Sequence, residues 1–422
     1  MFSTLISAIA TITVVTLALV ALLLYIKIRL TPEGTVKIDI NGGKKILDVP
    51  QGGDVLHTLA EQKIFLSSAC GGKASCGQCK VQVLEGGGTI LPTEEGFFNR
   101  KQINAGYRLG CQVKIKDNLK IQVPDSTLSV KKLECEVISN HNVATFIKEF
   151  TVRLPEGEHL DFKSGEYIQI DVPAYELDFK DIDVDAGYKA EWERYGFFGL
   201  HSSNPEATVR AYSMASYPAE GDIIKLNVRI ATPPFDRTAP KGSNKLLPVN
   251  PGIASSYVFT RKPGDKVTIS GPFGEFLLPK NDPEDMEYIF VGGGAGMAPL
   301  RSHIMHLFKT LKTTRQVHFF YGARSLQEAF YLEDYAGIEK EFPNFRFVLA
   351  LDRPDPAADA AGVKYTPGFV HNVMFETYLK THETPEDIKY FMCGPPMMVS
   401  SVNNLLDSLG VPPESILYDN FS

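Results

Sequence analysis

Four of the six cysteines lie between Cys70 and Cys111. Three of them share one loop, Ser68-Ala69-Cys70-Gly71-Gly72-Lys73-Ala74-Ser75-Cys76-Gly77-Gln78-Cys79. The spacing is C-x5-C-x2-C, and Cys111 follows after 31 intervening residues. Thiolates ligate metals, and several must converge on one centre to hold it. The backbone between them has to wrap, and Gly71, Gly72 and Gly77 permit the tight or left-handed turns this requires. Two centres are open on these residues, an iron–sulfur cluster and a structural zinc ion. Zinc ribbons usually supply two separate C-x2-C knuckles, so three ligands on one loop favour the cluster. Cys135, in Leu133-Glu134-Cys135-Glu136-Val137-Ile138, reads instead as a half-buried small residue of a strand.

Other stretches suit redox cofactors. In Arg210-Ala211-Tyr212-Ser213 an extended backbone puts Arg210 and Tyr212 on one face and Ser213 elsewhere. Arg210 can pair with a pyrophosphate, Tyr212 can stack on an isoalloxazine, and Ser213 can hydrogen-bond near its N5. Four residues alone are also compatible with an ordinary strand. Pro251-Gly252-Ile253-Ala254-Ser255-Ser256 reads as a helix start at which Gly252 allows close approach and Ser255 and Ser256 offer hydroxyls to a diphosphate. The apolar run Tyr288–Val291 leads into Gly292-Gly293-Gly294-Ala295-Gly296-Met297-Ala298-Pro299. This is a strand, a glycine turn and a helix, with Gly293, Gly294 and Gly296 as candidates to cradle a dinucleotide, although Pro299 departs from strict G-x-G-x-x-G. A later strand runs into Cys393-Gly394-Pro395, where Cys393 alone could simply end a buried strand. Arg324 and Ser325 could bind a 2′-phosphate.

The elements that position these residues follow from periodicity. Thr35–Ile40 alternates, Asn41-Gly42-Gly43 is a turn, Lys44–Val49 is the return strand, and Asp54–Gln62 is a helix with Asp54 near its N-cap. Lys80–Leu84 alternates again, and Cys111–Ile115 begins another strand. Residues from about Val130 to Leu278 hold several alternating segments punctuated by Gly and Pro, which predicts an antiparallel β-barrel. Ala174 to Ala207, with the only tryptophan, Trp192, reads as an insertion. After Tyr288, strands at Gln316–Arg324, Phe345–Leu351 and finally Lys389–Met392, with a helix over Leu300–Leu311, predict an α/β parallel-sheet domain.

The first 26 residues differ from the rest. Phe2–Ile26 carries no charge, and as a helix it spans about 37 Å, enough for a hydrocarbon core of about 30 Å. Lys27 and Arg29 follow at once, which predicts a single-pass N-terminal transmembrane helix with the remaining chain on the cytoplasmic side. A cleaved signal fits poorly, because no Lys or Arg precedes the run. The net charge of −7 argues against a nucleic-acid partner, and 44% hydrophobic with 22% charged residues excludes a mostly disordered chain of this length, 422 residues.

The cysteine loop and its flanking elements resemble the [2Fe–2S] ferredoxins of β-grasp fold, with one residue more in the first gap than the plant-type C-x4-C-x2-C. The middle and C-terminal stretches, in this order, resemble the ferredoxin–NADP reductase superfamily. With the membrane span in front, the whole chain is similar to the F subunits of sodium-translocating NADH:quinone oxidoreductases. The resemblance implies a multidomain chain: transmembrane anchor 1–30, [2Fe–2S] domain 31–127, FAD barrel 128–279 and NADH domain 280–422. It implies Cys70, Cys76, Cys79 and Cys111 as cluster ligands, and Arg210, Tyr212, Ser213, Gly252, Ser255 and Ser256 around FAD. It places Cys393 beside the nicotinamide, with Ser213 as its catalytic companion, Gly394 and Pro395 at the same corner, and Phe421 covering the flavin. Hydride would pass from NADH to FAD and single electrons through the cluster to other subunits of a membrane-embedded redox complex, and finally to a quinone. The location implied is the bacterial inner membrane. A soluble oxygenase reductase shares the three-module order, and a tethered zinc scaffold is the non-enzymatic alternative.

Overall fold

In a computed structural model of the chain, most alternating segments form strands where their periodicity predicts them. The structure describes residues 9, 11–22, 25, 34–68, 70–124, 127–128, 130–240 and 242–419. They divide into two units, Met1–Ser129 and Val130–Ser422. Residues 11–22 are helical, with Ile12, Val14, Leu17 and Leu19 among the exposed side chains. Among the described residues no helix is long and apolar enough to cross a membrane, and the rest of the predicted span lies outside the described residues.

In the first unit β1 (Thr35–Ile40) buries Val36, Ile38 and Ile40, the inward half of its alternation. With β2 (Lys45–Pro50), β3 (Lys80–Glu85), β4 (Tyr107–Leu109) and β5 (Leu119–Gln122) it forms a sheet in the order β2-β1-β5-β3-β4. The β1–β5 pair is parallel, the arrangement expected of a β-grasp. Helix α1 (Val55–Glu61) starts where Asp54 Oδ1 accepts the His57 amide at 3.0 Å. A buried ion pair fixes the chain ahead of Cys111. Arg108 Nη2 donates to Glu94 Oε2 at 2.7 Å, and Glu94 also accepts the Leu109 amide at 2.8 Å.

One predicted strand is absent. Cys111–Ile115 turns instead, with Gln112 N donating to Leu109 O at 2.8 Å, and Val113 O and Ile115 O accept from Val55 and Gly52 at 3.0 and 2.8 Å. The chain cannot both extend along a sheet and curl Cys111 toward the cysteine loop, so the strand begins later, at Leu119.

Among the described residues the second unit holds two six-stranded sheets and a two-stranded ribbon. Strands β6 (Lys131–Ala144), β7 (Ile147–Arg153), β8 (Tyr167–Val172), β11 (Thr208–Ser213), β12 (Ile223–Arg229) and β13 (Lys266–Phe273) pair antiparallel in the order β11-β8-β13-β6-β7-β12. An antiparallel bridge, Met214–Leu226, joins the two ends and closes the barrel. The insertion contributes a ribbon, β9 (Tyr175–Asp178) with β10 (His201–Asn204), and packs onto the barrel core. Trp192 is fully buried there, donates to Thr145 O at 2.8 Å and stacks on Phe259. Cys135 is fully rather than half buried, because its face of β6 looks into this core.

Strands β14 (Tyr288–Gly293), β15 (Val317–Ala323), β16 (Phe345–Leu351), β17 (Thr366–Pro367), β18 (Lys389–Cys393) and β19 (Ile416–Asp419) form a parallel sheet, order β17-β16-β15-β14-β18-β19. Thus Lys389–Met392 is not the last strand. The sheet carries α3 (Met297–Met305), α4 (Leu332–Glu341), α5 (Val370–Thr377) and α6 (Pro396–Ser408), while α2 (Ile253–Thr260) belongs to the barrel. Arg301 of α3 reaches Ala215 O at 2.8 Å and Glu220 Oε1 at 3.1 Å, tying the two layers together.

Candidate functional site

The cysteine loop brings its thiols together two by two. Cys76 and Cys70 sulfurs lie 3.4 Å apart, and Cys111 is hydrogen-bonded to Cys79. The pairs sense each other, Cys76 acting on Cys79 and Cys70 on Cys111. In each pair one thiol titrates early. The Cys79 thiol holds Cys111 down to about 6, and for Cys70 hydrogen bonds from Ser75 and Cys76 outweigh burial to reach about 6. Among the described residues no three metal-ligating side chains are grouped to hold a single ion. Two thiols for each of two irons is the division a [2Fe–2S] cluster requires. Gly77 is in the left-handed region at φ +67°, and a Cβ there would come within 2.3 Å of Phe97 Cδ1, so the loop closes only with glycine.

The second unit contains a cleft of about 430 Å³. One wall is β11 and β12, with Ala211, Tyr212, Ser213, Asn227 and Arg229. The other is the turn Gly293–Gly296 with Ala298, and the corner Gly394-Pro395-Pro396. The turn can pass this close to the corner because Gly296 lacks a Cβ, which would lie 2.1 Å from Cys393 O. It leads into α3, whose Ala298 lines the cleft. Ser213 Oγ donates to Asp419 Oδ2 at 2.7 Å, which fixes the hydroxyl on the cleft wall. Arg229, on the same wall, is pushed below the usual guanidinium range by burial and by Arg324.

Tyr212, Ser213, Gly293, Gly294, Gly296, Gly394 and Pro395, all singled out from sequence, thus share one cavity. Arg210, Gly252, Ser255 and Ser256 are not part of its lining. Arg210 donates to Thr208 Oγ1 at 2.8 Å and Val209 O at 2.7 Å. Ser255 Oγ is taken up locally by Ala231 N and Gly252 O, both at 3.1 Å. Cys393 is 0% exposed, in the core behind the corner, and burial drives its thiol far up. Its neighbours Gly394 and Pro395, rather than its sulfur, face the cleft. Phe421 lies outside the described residues. Asn227, Arg229 and Asp419 escaped the sequence reading; the only signal for Asp419 was the short apolar run Ile416-Leu417-Tyr418 just before it.

The model of the 2Fe-2S iron-sulfur cluster binding domain matches residues 38–116, and that of the oxidoreductase NAD-binding domain matches 290–404. The F subunit of the Na(+)-translocating NADH-quinone reductase of Pseudomonas aeruginosa strain UCBPP-PA14 is 49% identical over 98% of this chain and 98% of its own. The chain belongs to the family of these F subunits. The corresponding protein of Psychrobacter cryohalolentis is 48% identical over 100% of this chain and 99% of its own. Among solved structures, a cytochrome P450 reductase from Amycolatopsis superposes with TM-score 0.60 at 22% identity, over 92% of this chain and 99% of that one. The ferredoxin reductase in carbazole 1,9a-dioxygenase gives 0.56 at 21%, over 93% and 99%. These two share the fold of this chain.

Proposed function

We propose that this chain is the electron-input subunit of a sodium-translocating NADH:quinone oxidoreductase, with FAD and a [2Fe–2S] cluster as cofactors. The observation that carries the reading is one chain holding both the paired thiols and a cleft where Tyr212-Ser213 faces the Gly293–Gly296 turn. FAD, when bound, accepts the hydride of NADH and releases electrons singly to the cluster, from which they pass to other membrane subunits and finally to a quinone.

The chain's own residues bind, orient and exclude water. Tyr212 offers its ring to the flavin, and Ser213, held by Asp419, presents an oriented hydroxyl beside it. Gly293, Gly294 and Gly296 with the α3 amides receive the dinucleotide, and Gly394 and Pro395 close the corner in front of Cys393. Arg210, Gly252, Ser255 and Ser256 serve the diphosphate end of FAD, reached by rearranging the local bonds that now occupy Arg210 and Ser255. Phe421 covers the flavin. Residues 1–30 anchor the chain in the bacterial inner membrane by one helix, with modules 31–127, 128–279 and 280–422 on the cytoplasmic side. The uncharged span holds no Asp, Glu, Lys, Arg or His to line an ion path, so sodium movement belongs to other subunits. NADH is the preferred nucleotide.

Anaerobic reduction of the full chain tests the reading. NADH should bleach a flavin absorption, and a rhombic paramagnetic signal should follow. A colourless zinc protein would overturn it.

A further inference from the structure

Asn227 is the cleft residue with an unmet bond. It is 5% exposed, lines the cleft, and its Oδ1 is buried with no hydrogen-bond partner among the described residues. Its Nδ2 donates to Tyr331 Oη at 2.8 Å, and Tyr331 Oη donates to Glu149 Oε2 at 2.5 Å. Proton counting fixes this direction. A carboxylate only accepts and a phenol has one proton, so the Tyr331 oxygen can only accept from Asn227. The amide nitrogen must therefore face Tyr331, and the carbonyl oxygen must face away from it. Glu149 stands opposite Asn227 on the neighbouring strand β7.

The support is held at some cost. Tyr331 sits at φ +61°, a left-handed conformation unfavourable for an aromatic residue. Its ring lies 4.9 Å from the Arg301 guanidinium, which fixes it at the start of α4. A strained residue that orients one amide, and a buried acceptor left open by that orientation, together point to a ligand donor. The antiparallel Met214–Leu226 bridge sets Asn227 opposite Ser213 one step along the ladder. Across the cleft lie the glycine turn and the Gly394 corner, the wall assigned to the dinucleotide.

We propose that Asn227 is a nicotinamide-binding residue whose Oδ1 accepts an N–H of the carboxamide, with Tyr331 and Glu149 as positioning residues. The inference rests on the reading of the cleft as the NADH site.

The test compares NADH with its acetylpyridine analogue, which keeps the carbonyl but lacks the N–H donor. In the full chain, Asn227→Ala should weaken NADH roughly tenfold, the worth of one good hydrogen bond, and leave the analogue unchanged. The loss should fall on KM more than kcat, calorimetric NAD+ binding should weaken in step, and flavin content should stay at the wild-type level. Tyr331→Phe removes the acceptor that orients the amide and should give part of the same loss; it also carries the test should Asn227→Ala not fold. An equal fall with both nucleotides, no fall with either, or loss of flavin in place of nucleotide discrimination would each overturn the proposal. A wild-type chain that binds neither nucleotide would instead overturn the NADH site itself.

Discussion

Ser213 and Asp419 meet at 2.7 Å from opposite modules of the second unit. A hydroxyl oriented by a carboxylate loses little freedom when it bonds a ligand, so removing either partner should slow hydride arrival. Ser213→Ala should slow flavin reduction by NADH about tenfold in stopped flow with FAD still bound, and Asp419→Ala should reproduce part of that loss. An unchanged rate in both would refute the role. Burial at this scale also explains which cysteines are inert. Cys135 is pushed up to about 12 and Cys393 far above the usual thiol range, while one thiol of each loop pair sits near 6. Residue chemistry was legible where a motif is local, as with Cys70–Cys79 and Tyr212-Ser213. It was illegible for Asp419, whose partner is 206 residues away and whose strand is only four residues long. The same holds for Asn227, which within β12 reads as one of three polar residues, with Lys225 and Arg229, that simply alternate with apolar ones.

At the scale of elements, two buried polar contacts carry testable consequences. The Glu94–Arg108 pair holds β4 just before Cys111, with both side chains nearly sealed from water. Glu94→Ala leaves a buried guanidinium uncompensated and should destabilise the first unit by about 3–5 kcal/mol in denaturant melts, with loss of cluster retention. A change near zero would show the pair to be dispensable. On α3, burial holds His303 down to about 3, with Nδ1 3.1 Å from Ser164 Oγ of the barrel. The unfolded chain takes up that proton near 6.5 and the folded chain does not. Stability should therefore fall as pH drops from about 6.5 toward 3, by up to about 1.4 kcal/mol per pH unit, and His303→Gln should flatten the slope. Equal slopes would contradict this. Strand and helix placement followed from alternation and capping, because those signals are local. The Cys111–Ile115 segment alternates too, yet it turns: converging the fourth thiol with the other three is a long-range demand that periodicity does not record.

At the scale of the molecule, the family relationship and the two units describe a division of labour. The match to the NAD-binding domain falls within Val130–Ser422 and that to the 2Fe-2S domain within Met1–Ser129. A chain lacking residues 1–30 should still reduce ferricyanide with NADH but fail to restore quinone reduction in depleted membranes. Full restoration would contradict the proposed role of residues 1–30 as an anchor. The division is tested most directly by Cys76→Ala in the full chain, followed by rapid mixing with NADH. The flavin should bleach at the wild-type rate while the paramagnetic cluster signal and quinone reduction in membranes both disappear. Quinone reduction that survives without the cluster would contradict the account.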